Sequence, residues 1–105
     1  MKGTYLGEFE ELVLLVVGVL GEDAYSVSIK TEIEQRTQRN PSIGALHSSL
    51  KRLEDKGFVT SYAGHGSEDR GGRKKRLYHI TAAGKQALSK SHELRTTLFQ
   101  LLPGS

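Results

Sequence analysis

The stretch SIGALHSSLKRLEDKGFVTSYA, residues 42–63, contains the pattern that decides the fold. It predicts an amphipathic helix over residues 43–56, because apolar side chains recur there at the three- and four-residue spacing of one helix face. These apolar residues are Ile43, Leu46, Leu50 and Leu53. Ser42 is a favourable N-cap, and Gly57 ends the helix. Residues 58–63 are rich in β-branched and aromatic types, which favours a strand.

The sequence around this stretch supplies the remaining elements of a small domain. RLYHI, residues 76–80, predicts a second strand, and the glycine-rich charged segment between the strands predicts a hairpin loop. Residues 7–20 and 25–37 predict two earlier helices, the first of them apolar nearly all round from Leu12 to Leu20 and therefore covered on more than one side. Thr81 is a favourable cap for a last helix.

Three helices, a hairpin and a final helix form the element order of a winged helix-turn-helix, a mainly α (α+β) fold with a two-stranded β-wing. We expect residues 1–80 to form this winged helix-turn-helix domain. Residues 81–105 are expected to form a C-terminal dimerisation helix within the same compact unit. At this length one domain is the expectation, and so small a domain gains stability from a partner chain.

Positive charge is concentrated in the middle of the chain. Residues 1–38 carry three basic and seven acidic side chains, whereas residues 39–80 carry nine basic and four acidic ones. Five basic side chains lie within RGGRKKR, residues 70–76. A concentration of one sign favours a polyanionic partner, because a merely solubilising surface usually mixes its signs.

Other function classes find little support in the sequence. The longest apolar run, residues 12–20, is too short to cross a bilayer, so no membrane partner is expected. The chain has no cysteine, which fits a reducing cytosol, and we expect a cytoplasmic, nucleoid-associated protein. Enzyme activity is not expected, since there is no nucleophile–base set, phosphate loop or metal motif. The four histidines have no metal-ligand spacing: His47, His65, His79 and His92.

Three segments in order resemble the PadR-like transcriptional regulators. They are LGEFEELVLLVVGVLGEDAYSVSI (6–29), SIGALHSSLKRLEDKGFV (42–59) and RGGRKKRLYHITAAGKQAL (70–88). The resemblance implies a winged-helix protein that binds double-stranded DNA, usually as a repressor, and forms homodimers through its first and last helices. The last helix is short here, as in members with a single C-terminal helix. It also implies a small aromatic effector in some members, and no cofactor is expected. Candidate effector-lining residues are Tyr5, Phe9 and Phe99.

Two residues depart from the family pattern. His47 stands where the family commonly has tyrosine after GAL, and Ser26 stands where glycine commonly follows the tyrosine of the second helix. If position 47 touches the DNA backbone, the contact is made here by an imidazole, which would make it sensitive to pH.

In a helix-turn-helix the second helix lies in the major groove, so we expect residues 43–56 to read DNA. The candidate contacts on and before this helix are Ser42, Gly44, Ala45, His47, Ser48, Lys51 and Arg52. The candidate contacts on the wing are Arg70, Arg73, Lys74 and Arg76, and Lys75, which alternates with them, could point away. The alternatives are an ordinary solvated helix face and a basic loop that does not bind DNA. A winged-helix module that binds protein or RNA is the alternative function.

Apolar residues of the first and last helices exceed what one small domain can cover, so we expect them to form a dimer interface. The candidate residues are Phe9, Leu12, Val16, Leu88, Leu94, Leu98 and Leu101. A ligand pocket between the last helices of a dimer is the alternative use of the leucines on the last helix.

Overall fold

The computed structural model describes residues 5–64 and 75–104, and its elements follow the predicted order. The helices are α1 (Glu8–Leu20), α2 (Ser26–Thr37), α3 (Ile43–Asp55) and α4 (Ala82–Gln100), and the strands are β1 (Val59–Ala63) and β2 (Arg76–Ile80). A 3-10 turn, Gly21–Asp23, follows α1. The mainly helical chain with one antiparallel two-stranded sheet confirms the predicted winged-helix class.

The core is built around α1, which contacts α2, α3, β2 and α4. Apolar side chains of α1, α2, α3 and the hairpin pack into one continuous cluster that excludes water. The fully buried members include Val13, Leu14, Val17, Ile29, Ile33, Leu46, Leu50, Leu53 and Val59. The predicted stripe on α3 is therefore confirmed at its three leucines.

One prediction about burial is wrong: Ile43 belongs to the predicted apolar stripe of α3, but its side chain is 46% exposed. Ser49 on the same helix is polar and yet fully buried. The buried side of α3 is rotated toward Ser49, because α1 packs on that side of the helix, whereas Ile43 lies at the first position and at the stripe's outer edge.

α1 is expected to be covered on more than one side, and within one protomer one apolar side of it stays uncovered. Leu15 and Val19 are 46% and 67% exposed. They lie four residues apart and so share one side of the helix, opposite the side that faces the core. Within residues 5–64 and 75–104, no helix or strand covers these two side chains.

Both predicted N-caps are present. The Ser42 hydroxyl accepts a hydrogen bond of 3.0 Å from the Ala45 N–H, and the Thr81 hydroxyl accepts one of 3.0 Å from the Gly84 N–H. Each satisfies one of the amide groups that a helix leaves unpaired at its start. α2 ends at Thr37, where the sequence predicted its end, and Gln38 directly after it adopts a left-handed conformation with φ 60°.

The hairpin is antiparallel and pairs Val59 with Ile80 at its base and Ala63 with Arg76 toward its tip. The Tyr78 N–H donates to the Ala24 carbonyl at 2.9 Å, which ties β2 to the connection between α1 and α2. Gly84 lets α4 begin against the hairpin: a Cβ at this position would lie 2.3 Å from the Phe58 carbonyl oxygen.

α4 leaves the core part-way along its length. Ala87 and Leu88 pack against the core cluster, whereas Leu94, Leu98 and Leu101 are 60%, 55% and 72% exposed. Within the described residues, no helix is long and apolar enough to cross a membrane.

Candidate nucleic-acid interface

The outward face of α3 combines small residues at its start with a long basic residue one turn later. Gly44, Ala45 and Ser48 are exposed, and none of them carries a bulky side chain. Lys51 follows with a side chain that is 78% exposed and 3.8 Å from the Asp55 carboxylate. This loose contact leaves the ammonium group in solvent, where it can reach a ligand. The predicted arrangement of this face is therefore present in the fold.

Arg52 lies on another side of α3 from Lys51. Its Nε–H donates to a Glu10 carboxylate oxygen at 2.6 Å, and its Nη2 lies 3.4 Å from the Ser49 hydroxyl. Arg52 was predicted to contact DNA, but the contact it makes in the protomer is with α1. Its side chain is 55% exposed, so one edge of the guanidinium still faces solvent.

Glu10 joins the N-terminal part of α1 to the C-terminal half of α3. Besides Arg52, Lys56 donates to its other carboxylate oxygen at 2.7 Å, and the Gly7 N–H donates at 3.2 Å. Burial alone would raise the pKa of Glu10, but the hydrogen bonds from Lys56, Arg52 and Gly7 outweigh it and hold the pKa below its ordinary value. The carboxyl is therefore ionised at neutral pH.

His47 lies on the flank of α3 that faces α2. Its Nε2 atom is 2.8 Å from the Ser26 hydroxyl oxygen, a hydrogen bond that joins the first residue of α2 to α3. The two residues that depart from the family pattern are thus direct partners. The contact lies on the exposed surface of the two helices.

The end of the hairpin toward the wing tip carries a basic residue that is hydrogen-bonded to the opposite strand. Arg76 is exposed, and its Nη1 donates to the Ser61 hydroxyl at 3.0 Å, which in turn donates to Glu54 at 2.8 Å. Burial and the nearby Glu54 carboxylate raise the pKa of Tyr78 on the same strand, so its phenol stays neutral. Lys75 lies over the Tyr25 ring, with its Nζ atom 4.2 Å from the centroid.

Several predicted residues fall in the segment 65–74, outside the described residues. They are the wing contacts Arg70, Arg73 and Lys74, and His65. Among the residues that are described, no group of three or more histidine, aspartate or glutamate side chains could hold a metal ion. His79 instead bonds to the Tyr62 hydroxyl at 3.1 Å on the hairpin.

The predicted dimer residues divide into three groups in the protomer. Val16 is buried in its own core, whereas Phe9, Leu12 and Leu88 are half-buried against it. Leu94 and Leu98 on α4 and Leu101 directly after it are exposed. Sequence reasoning did not single out Leu15 and Val19, which add exposed apolar surface on α1.

A groove of about 400 Å³ lies between the N-terminal segment and the overhanging part of α4. Tyr5, one of the candidate effector-lining residues, lines it, whereas Phe9 and Phe99 do not. Apolar walls come from Leu6, Phe58, Leu94 and Leu98. The groove can therefore take an apolar occupant.

Residues 13–90 match the profile of the transcriptional regulator PadR-like family, a span that includes the helix-turn-helix, the hairpin and half of α4. The chain belongs to the PadR-like family of transcriptional regulators. No curated protein sequence matches the chain.

Solved structures of PadR-like proteins share this fold. A PadR family transcription regulator from Clostridium difficile R20291 has 23% identity and a TM-score of 0.74, over 90% of this chain and 94% of that chain. A PadR-like transcriptional regulator from Bacillus cereus has 23% identity and a TM-score of 0.69, over 92% and 93%. Bacillus subtilis PadR in complex with operator DNA has 21% identity and a TM-score of 0.66, over 78% of this chain and 46% of that chain.

Within this PadR-like fold, two contacts at the candidate interface escaped sequence reasoning. Arg52 and Lys56 are four residues apart, so their two positive charges lie on the same side of the helix. This spacing could have predicted that both bind one carboxylate. Nothing local in the sequence identified Glu10, 42 positions away from Arg52, as that anion. The bond between Ser26 and His47 had only one signal, namely that both positions are unusual for the family.

Proposed function

We propose that this PadR-like protein is a sequence-specific DNA-binding repressor that acts on the nucleoid, in the cytoplasm, as a homodimer on a palindromic operator. The observation that carries the proposal is the exposed outward face of α3. This face has only small side chains at its start, at Gly44 and Ala45, and a basic side chain, Lys51, further along the helix. Repression is the mode that resemblance to the family implies.

The first half of α3 suits an approach to base edges. Gly44, Ala45 and Ser48 allow the helix backbone to lie deep in the major groove, and the Ser48 hydroxyl can donate to or accept from a base. Lys51 is long enough to reach a guanine edge from one turn further out. Ser42, whose side chain caps α3, stands at the end of the helix that enters the groove.

The wing supplies phosphate contacts in this proposal. Arg76 is exposed and begins β2 at the end of the hairpin toward the wing tip, and the preceding segment of the sequence adds Arg70, Arg73 and Lys74. Phosphate contacts fix the register of a protein on the duplex and carry no base information themselves. In each protomer, α3 would then contact the bases and the wing would contact the phosphates.

Dimerisation is supported by the apolar surface that the protomer leaves uncovered. At about 100° per residue, Leu94 and Leu98 share the side of α4 that carries Ala87 and Ser91, yet they lie beyond the core. The Ser91 hydroxyl donates to the Glu11 carboxylate of α1 at 3.1 Å, and the Arg95 Nε atom lies 3.5 Å from the same carboxylate, so polar contacts join α4 to α1 as far as Arg95. In this proposal the α1 and α4 surfaces of a second copy cover these leucines together with Leu15 and Val19.

Two linked protomers related by a two-fold axis would read two inverted half-sites. Linking the two contacts raises the effective concentration of the second protomer, so the dimer binds far more tightly than either half alone. The half-site centres should lie about 34–36 Å apart or at a multiple of that distance.

Binding selectivity tests the proposed function against the RNA- or protein-binding alternative. Labelled random-sequence duplex DNA is titrated with the protein at one fixed salt concentration, with single-stranded RNA of equal length as competitor. We expect enrichment of one inverted-repeat duplex and weak competition by RNA. Stronger competition by RNA than by unlabelled duplex, or no retained duplex, would contradict the proposal. A reporter promoter carrying the enriched duplex should be repressed by the protein.

A further inference from the structure

The contact between Ser26 and His47 bridges the two helices of the helix-turn-helix on its open surface. The hydroxyl oxygen of Ser26 and the Nε2 atom of His47 are 2.8 Å apart, a good hydrogen-bond distance. Ser26 is the first residue of α2, and the exposed His47 is in the second turn of α3. The bond therefore fixes the orientation of a surface imidazole that would otherwise rotate freely.

The same bond determines which imidazole atom remains available. A neutral imidazole carries one proton, so one nitrogen donates and the other accepts. When the Ser26 hydroxyl donates to Nε2, the proton resides on Nδ1, and Nδ1 becomes a hydrogen-bond donor without any positive charge on the ring. Within residues 5–64 and 75–104, no second hydrogen bond engages His47.

The position of His47 favours a contact with a DNA phosphate rather than with a base edge. The outward face that carries Gly44, Ser48 and Lys51 lies to one side of it, while α2 lies on the other. In a helix-turn-helix bound to DNA, the first helix of the pair crosses the sugar–phosphate backbone. A side chain held between both helices is therefore next to the backbone.

We propose that Ser26 is a positioning residue that holds the His47 imidazole with Nδ1–H directed at a phosphate oxygen of the DNA backbone. This inference rests on the proposed DNA-binding function and assigns Ser26 an indirect part in it. His47 makes the phosphate contact, and Ser26 acts through His47 by fixing its ring orientation and its tautomer. Neither residue would read a base.

The test uses the duplex enriched by the wild-type chain, prepared as a series in which one phosphate at a time is replaced by an uncharged methylphosphonate. Affinity is measured for wild type, for His47→Ala, Ser26→Ala and Ser26→Thr, and for the double variant that combines Ser26→Ala with His47→Ala. Thr31→Ala, which removes another exposed hydroxyl from α2, is the matched control. Thermal unfolding of each variant separates binding effects from loss of the fold.

On native duplex we expect Ser26→Ala and His47→Ala each to weaken binding by roughly threefold to tenfold, the range of a single hydrogen bond. The double variant should be no weaker than His47→Ala, since both changes remove the same contact. In each half-site, one methylphosphonate position should weaken binding by wild type. The same replacement should not weaken binding by Ser26→Ala or His47→Ala. Ser26→Thr keeps the hydroxyl and should restore the sensitivity, while Thr31→Ala should behave as wild type.

Two outcomes would overturn the inference while leaving the proposed function intact. One is that Ser26→Ala retains the wild-type methylphosphonate profile. The other is that His47→Ala changes the selected base sequence instead of the response at one phosphate. Failure of the wild-type chain to enrich any duplex is a different result, and it would overturn the proposed function itself.

Discussion

The Glu10 carboxylate of α1 accepts a 2.6 Å hydrogen bond from the Nε–H of Arg52 on α3. Lys56, one turn further along α3, donates to the same carboxylate at 2.7 Å. The helix proposed to enter the DNA groove is therefore attached at its C-terminal half to the helix at the centre of the core. Arg52, a candidate DNA contact in the sequence, joins α3 to α1 in the protomer.

Glu10→Gln should lower the free energy of unfolding by about 1–3 kcal/mol, because it removes the charge that compensates two cations at a largely buried position. Glu8→Gln is the matched control: it lies in the same first turn of α1 and pairs with Arg39, but its side chain is 72% exposed. We expect the control to cost less than about 1 kcal/mol. Urea unfolding of both variants checks this, and equal losses would mean that Glu10 has no special role.

The same carboxylate should make stability depend on pH. Its pKa is lower in the folded chain than the ordinary 4.5, so the ionised form favours folding. This contribution is complete above the ordinary value and is lost as pH falls through the folded pKa. As pH falls below the ordinary value of 4.5, wild type should therefore lose stability more steeply than Glu10→Gln. If the melting temperatures of the two proteins fell equally with pH, the ionised Glu10 carboxylate would not contribute to stability.

Local signals predicted most of the elements, and non-local contacts account for what was missed. Ser42 and Thr81 cap their helices within four residues of themselves, so composition and order were sufficient. The burial of Ser49 and the exposure of Ile43 depend on which side of α3 meets α1, which periodicity fixes only to within one position of the stripe. The partner of Arg52 lies 42 residues away, where no local pattern points to it.

Leu98→Arg should convert the dimer into monomers, because the charged side chain replaces an apolar one on the exposed overhang of α4. DNA affinity should fall with it by about 100-fold or more, since the linked half-sites are lost. Thr96→Arg adds the same charge on the opposite side of α4 and should leave the dimer intact. Light scattering at micromolar concentration measures both masses, and a wild-type monomer would exclude the dimer.

Arg73→Ala combined with Arg76→Ala should weaken binding to all duplex sequences about equally. Each lost phosphate contact should also flatten the dependence of log affinity on log salt by about 0.9. A salt titration of wild type and the double variant on two unrelated duplexes provides the measurement. An unchanged slope would show that the basic wing does not meet phosphates, and a change confined to one duplex would indicate base or groove-width readout.

Site selection from a random duplex pool, performed at one fixed salt concentration, tests most directly whether α3 reads DNA sequence. We predict that wild type selects an inverted repeat with half-site centres about 34–36 Å apart or at a multiple of that distance. Ser48→Ala or Lys51→Ala should relax the preference at one or two base pairs in each half-site, symmetrically, because a base contact contributes about 1–3 kcal/mol of discrimination. Motifs identical to wild type in both variants, with only the affinity reduced, would contradict the assignment of α3 as the reading helix.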